Sequence, residues 1–98
     1  MLGNTLKLIR IANDMSVSFV SRGTQLKISL IESIENGDTK VSLSTLNIFS
    51  DFYKIPVSKI LLLNDFHERF LVSEERMIED IKNYYSLIEE VNKTEKKI

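Results

Sequence analysis

The dipeptide Asn36-Gly37 is the firmest local instruction in this chain, because a helix reaching it meets a residue suited to the left-handed conformation and must stop. An earlier stop stands at Asn13-Asp14, where two poor helix formers are adjacent. Only short helices fit between these two points. Leu2, Leu6 and Ile9 recur at helical spacing ahead of Asn13, which defines a first helix. Ser16 is placed to cap a second over Val17 to Thr24, since its hydroxyl can accept from an orphan amide of the first turn. Gln25-Leu26-Lys27 then makes a tight connection, and a third helix runs from Ile28 to Glu35 with Ile31 and Ile34 facing inward.

Ser42 caps a fourth helix over Leu43 to Tyr53, with an apolar stripe of Leu46, Phe49 and Tyr53. Pro56 opens a fifth, because proline lacks only an amide that the first turn would leave unpaired. This helix is expected over Val57 to Leu62, burying Ile60 and Leu61. No stretch alternates apolar and polar residues over strand length, so the fold class is all-α, five short helices followed by a long one. That long helix is capped by Ser73. Its apolar positions Met77, Ile81, Tyr84, Ile88 and Val91 fall at alternating spacings of four and three, the seam of a heptad pattern, and a seam needs a facing surface. The surface is either the chain's own body or a second copy. Phe66, Phe70, Leu71 and Val72 add apolar area that a small body need not cover alone, which favours dimerisation.

Charge narrows the function classes. The 98 residues carry a net charge of -1, with no cysteine and one histidine. Up to position 62 there are seven basic and five acidic residues, and the remainder holds an excess of three negative charges. A mildly basic body can bind phosphate if its cations share a face, since the local field matters more than the total. Without cysteine there is neither a disulfide nor a thiolate metal site. His67 stands alone, and with no glycine-rich phosphate loop and no paired metal-ligand motif nothing assembles a catalytic site or calls for a cofactor. The expectation is of a protein that is not an enzyme. The longest apolar run, Ile60 to Leu63, is far too short for a membrane span, which suits a cytoplasmic protein.

The segment from Ser16 to Asn36 has the layout of a helix-turn-helix. From Leu2 to Leu62 the chain resembles the Cro and phage-repressor-like domain, the xenobiotic-response-element family. Gly3 with Leu6, Ile9 and Arg10 is similar to the family's first helix, and Met15-Ser16 to the pair opening its second. Ile31, Ile34 and Glu35-Asn36-Gly37 resemble the reading helix and its ending. Ser42-Leu43 with Leu46, then Ile55-Pro56-Val57 with Ile60-Leu61, resemble the last two helices. Four positions depart from the pattern: Val17 in place of the common Gln, Ser21 in place of a small Ala, Gln25 in place of the turn Gly, and Asp38 where a cation is frequent.

The resemblance implies a five-helix lambda-repressor-like domain over residues 1–63 and a helical extension over 64–98 used for dimerisation. It implies an ion pair between Arg10 and Glu35, and contacts to double-stranded DNA from Ser16, Val17, Lys27, Ile28, Ser29, Ser33, Asn36 and Lys40. The extension would pair through Phe66, Phe70, Met77, Ile81, Tyr84, Ile88 and Val91. The function implied is a dimeric repressor on an inverted-repeat operator. The other reading is a protein-interaction module, antirepressor or antitoxin-like, that keeps the fold and grips a protein partner.

Overall fold

A computed structural model describes residues 1–96, with side-chain surroundings for residues 1–91. The last two residues of the expected extension lie outside it. Six α-helices follow in order, α1 (Leu2–Ala12), α2 (Val17–Thr24), α3 (Ile28–Glu35), α4 (Leu43–Tyr53), α5 (Val57–Phe70) and α6 (Glu74–Lys96). No strand occurs among the described residues.

The caps form as the local chemistry requires. The amides of Phe19, Thr45 and Arg76 donate to the hydroxyls of Ser16, Ser42 and Ser73 at 3.1, 3.2 and 3.2 Å. Gly37, at φ 84°, supplies the left-handed residue just past α3. Among the described residues, four others adopt left-handed backbone without being glycine, namely Asp14, Gln25, Lys54 and Leu71, at a cost of roughly 1 kcal/mol each. Two of these turns are built alike. The Ser21 hydroxyl donates to the Leu26 carbonyl at 2.5 Å across the bend at Gln25, and the Ser50 hydroxyl donates to the Ile55 carbonyl at 2.6 Å across the bend at Lys54. In each case a serine one helical turn upstream satisfies the carbonyl that the left-handed residue leaves behind, so the fold tolerates a side chain where glycine would be easier.

α1 is the central helix. It packs against α3, α4, α5 and α6, and Leu6, Leu8 and Ile9 are its fully buried contribution to a core shared with Val20, Ile31, Ile34, Leu46, Phe49, Ile60, Met77 and Ile81. Gly3 lets α1 approach α3 at backbone distance, since a Cβ there would stand 1.8 Å from the Ile34 carbonyl oxygen. On the side of α1 that meets α5, the hydroxyl of buried Thr5 donates to the Asn64 side chain at 3.1 Å.

Two expectations are corrected here. The fifth helix does not end at Leu62 but runs on to Phe70, because no glycine or proline intervenes and the body-facing positions continue. Those positions are Ile60 and Leu63, while Leu61 is 46% exposed. Adjacent helical residues point about 100° apart, so Ile60 and Leu61 cannot share one inward face. The expected boundary between residues 63 and 64 therefore falls inside an unbroken helix.

The second correction concerns α6. Met77 and Ile81 are fully buried against the chain's own body, and the Tyr85 hydroxyl donates to the Tyr53 carbonyl at 2.6 Å, at the end of α4. Met77 and Ile81 are therefore not available for the dimer contact expected of them. A domain this small gains stability steeply with added core, so its own surface is the first claimant on an apolar seam. Ile81→Ala is expected to lower stability by ~2–5 kcal/mol, the cost of a cavity in a packed core. Thermal unfolding of the full chain measures it; an unchanged melting temperature would show α6 to be a mere appendage.

Candidate nucleic-acid interface

The candidate site consists of α2, the turn after it, α3 and the loop down to Lys40, and its geometry is set by Arg10. The Arg10 Nε and Nη2 donate to the two carboxylate oxygens of Glu35 at 2.8 and 2.9 Å, a fork-to-fork pair, and Nη1 donates to the Met15 carbonyl at 3.0 Å. One guanidinium thus joins α1, the far end of α3 and the entry to α2. The Arg10 and Glu35 side chains retain only 14% and 6% of their exposure. Hydrogen bonding to Glu35, strengthened by its charge, raises the Arg10 pKa above its ordinary value against the opposing effect of burial. The ion pair implied by the resemblance is present as geometry.

With Glu35 turned inward, the outer edge of α3 shows a different chemistry. Lys27, Ile28, Ser29 and Glu32 are exposed, Ile28 at 44%. Ser16 at the tip of α2 is exposed, whereas Val17 is half-buried and packs on the core. Asn36 and Lys40 are exposed in the following loop. The structure therefore brings Lys27, Ile28 and Ser29 together at the start of α3, with Ser16 on the neighbouring helix, and leaves Asn36 and Lys40 at its far end.

Ser33 is placed less freely than its sequence position suggests. Its hydroxyl shares a 2.6 Å hydrogen bond with that of Thr39, and its carbonyl accepts from the amides of Asp38 and Thr39 at 2.9 and 3.2 Å. Ser33 fastens the loop that carries Lys40. Thr39 escaped the sequence reading because nothing local marks a hydroxyl that will meet another six residues upstream.

Ser21 and Gln25, both departures from the family pattern, belong to the serine-tethered bend after α2 and so act as one device. Phe19 on α2 is 48% exposed and leans on Phe52 of α4 at a ring separation of 6.2 Å. Among the expected pairing residues, Phe66, Phe70 and Val91 are exposed and Tyr84 and Ile88 half-buried. Among the described residues no His, Cys, Asp and Glu group could hold a metal ion, and no helix is long and apolar enough to cross a membrane. Comparison with protein families, with curated proteins and with solved structures finds nothing that matches this chain.

Behind the site, the Tyr53 hydroxyl is buried with no hydrogen-bond partner among the described residues. Burial raises the pKa of Tyr53, helped by the nearby Glu35 carboxylate, and burial likewise raises that of Tyr85. Phenols raised in the folded state contribute stability that is complete below the unfolded value of about 10 and is lost as pH climbs past it.

Two outcomes follow for denaturation experiments. Arg10→Ala strands the Glu35 carboxylate and is expected to cost on the order of 3 kcal/mol. Tyr53→Phe removes an unpaired polar atom, so stability at pH 7 holds or rises by up to ~1 kcal/mol, and the alkaline decline above about pH 10 becomes shallower. A steeper decline in the Phe variant would contradict the assignment of that titration to Tyr53.

Proposed function

We propose that the protein is a sequence-specific DNA-binding transcription regulator, a dimeric repressor that lays α3 of a lambda-repressor-like helix-turn-helix in the major groove of an inverted-repeat operator. The observation that carries this reading is the composition of the α3 edge once Glu35 is removed from it. Lys27 can take a guanine edge or a phosphate, Ser29 can hydrogen-bond to any base, and Ile28 can pack on a thymine methyl. Glu32, the remaining acid, can accept from a cytosine amino group. Ser16 and the first amides of α2 offer a phosphate seat at a helix N-terminus, and Lys40 offers a cation in the loop beyond the far end of α3.

So sparse a set of readers needs two copies. Two reading helices roughly 34 Å apart engage successive turns of the duplex, and the second half-site then binds at high local concentration. The remaining reading, a protein-interaction module, is favoured by one observation, the exposed Phe19 on α2.

Selection of bound fragments from random duplex DNA tests the proposal, with retention measured across a salt series. The wild type is expected to enrich a palindromic site, and Lys27→Ala with Lys40→Ala to weaken binding and reduce the salt slope by about one per cation. Failure to retain duplex even at low salt would reject the DNA reading in favour of the protein-binding one.

A further inference from the structure

Ser33 stands on α3 where the resemblance implies a contact to DNA, yet both of its oxygens are engaged within the chain. The hydroxyl shares its 2.6 Å bond with the Thr39 hydroxyl, and the carbonyl accepts from the amides of Asp38 and Thr39. The next carbonyl, that of Ile34, accepts from the Gly37 amide at 3.1 Å, and Gly37 turns the chain back at φ 84°. The last turn of α3 therefore clasps residues 37–39 through backbone and side chain together. Ser33 is half-buried, whereas Ser29 and Glu32 on the same helix are exposed. A serine hydroxyl is short and swings about a single bond, so aiming it at a base breaks the pair with Thr39.

The residue that follows the clasp is Lys40, the only cation between Lys27 and Lys54. Asp38, two residues earlier, carries the opposite charge, so from a distance the loop is nearly neutral. It attracts a phosphate only if Lys40 is the nearer of the two, and this is a matter of where the loop is held. A loop ordered beforehand also spares the cost of ordering it on binding. We propose that Ser33 is a positioning residue and not a base reader: paired with Thr39, it fixes the loop so that Lys40, and not Asp38, meets the DNA backbone. This rests on the DNA-binding reading above and confines sequence reading to Lys27, Ile28, Ser29 and Glu32. Phosphate contacts set affinity and register, whereas groove contacts set preference, so the two roles for Ser33 have different signatures.

Binding of the full chain to the duplex enriched from random DNA, and to every single-base variant of it, tests the proposal across a salt series. Ser33→Ala is expected to weaken binding to all of these duplexes by one common factor, roughly fivefold, with the order of base preferences unchanged. Its salt slope should fall towards that of Lys40→Ala, by up to about one. The double variant should bind no more weakly than Lys40→Ala alone, because the clasp acts through that cation. Ser33→Thr keeps the hydroxyl and should bind as the wild type does. Thr39→Val removes the other half of the pair and should reproduce Ser33→Ala; since it leaves α3 untouched, it keeps the test sharp if Ser33→Ala disturbs the helix. Preference relaxed at one base pair in Ser33→Ala, with the remaining positions unaffected, would make Ser33 a reader and overturn the inference. Losses that multiply in the double variant, or wild-type binding by both Ser33→Ala and Thr39→Val, overturn it as well. All three results leave the regulator reading standing. A wild type that retains no duplex at low salt overturns both.

Discussion

The fork-to-fork contact between Arg10 and Glu35 is the constraint around which the N-terminal half is arranged. α3 has eight residues, too few to be stable as an isolated helix, so its direction is imposed by what holds its ends. Ile31 and Ile34 seat it on the core, and Arg10 fastens its last turn. The same guanidinium takes the Met15 carbonyl, so the entry to α2 is registered against α3 by one side chain. Two largely buried charges are costly to bring out of water, and only the three good hydrogen bonds offset that cost. What the pair provides is placement, and it withdraws one carboxylate from a face that is proposed to meet a polyanion.

The second organising fact is that α6 belongs to the core. Met77 and Ile81 close over α1, and Tyr85 ties α6 to the end of α4 through the Tyr53 carbonyl. Tyr53 in turn stacks on Phe49 and meets Phe52 edge-on, and Phe52 leans on Phe19 of α2. One hydrogen bond followed by a run of aromatic contacts therefore connects the C-terminal helix to the helix beside the candidate reading edge. With the inner side of α6 serving the core, outward apolar side chains remain on α5, at Leu62, Phe66 and Phe70, and on α6, at Leu87 and Val91.

The sparse chemistry of the α3 edge bears directly on the proposed two-copy arrangement. A single copy offers Lys27, Ile28 and Ser29 with few cations beside them. In the proposed dimer, doubling the edge on a rigid frame would supply by geometry the affinity that one such edge lacks. The interaction-module reading would instead use Phe19, which sits on α2 at the border of the same face.

How much was legible from the residues depended on the range of the physics involved. Ser16, Ser42 and Ser73 cap helices through atoms three residues away, and Gly37 stops one through its own backbone freedom, so α1 to α4 have the ends their local sequence dictates. The Arg10 and Glu35 pair was available only through family resemblance, since 25 residues separate the partners. The extent of α5 was missed because Leu71 ends it in a left-handed turn with no glycine to announce it. The seam on α6 was visible as a periodicity, yet its partner was not, because a stripe of Met77, Ile81 and Tyr84 is equally apolar whether it meets its own body or another. Local sequence thus determined the helices, their caps and the inward sides of α1, α3 and α4, all of which follow from backbone hydrogen bonding and side-chain spacing over a few residues. Tertiary structure alone decided that α6 completes the core, that Ser33 is committed to Thr39, and that Leu62, Phe66 and Phe70 of α5 stay outward, because burial is a competition among all apolar surfaces at once.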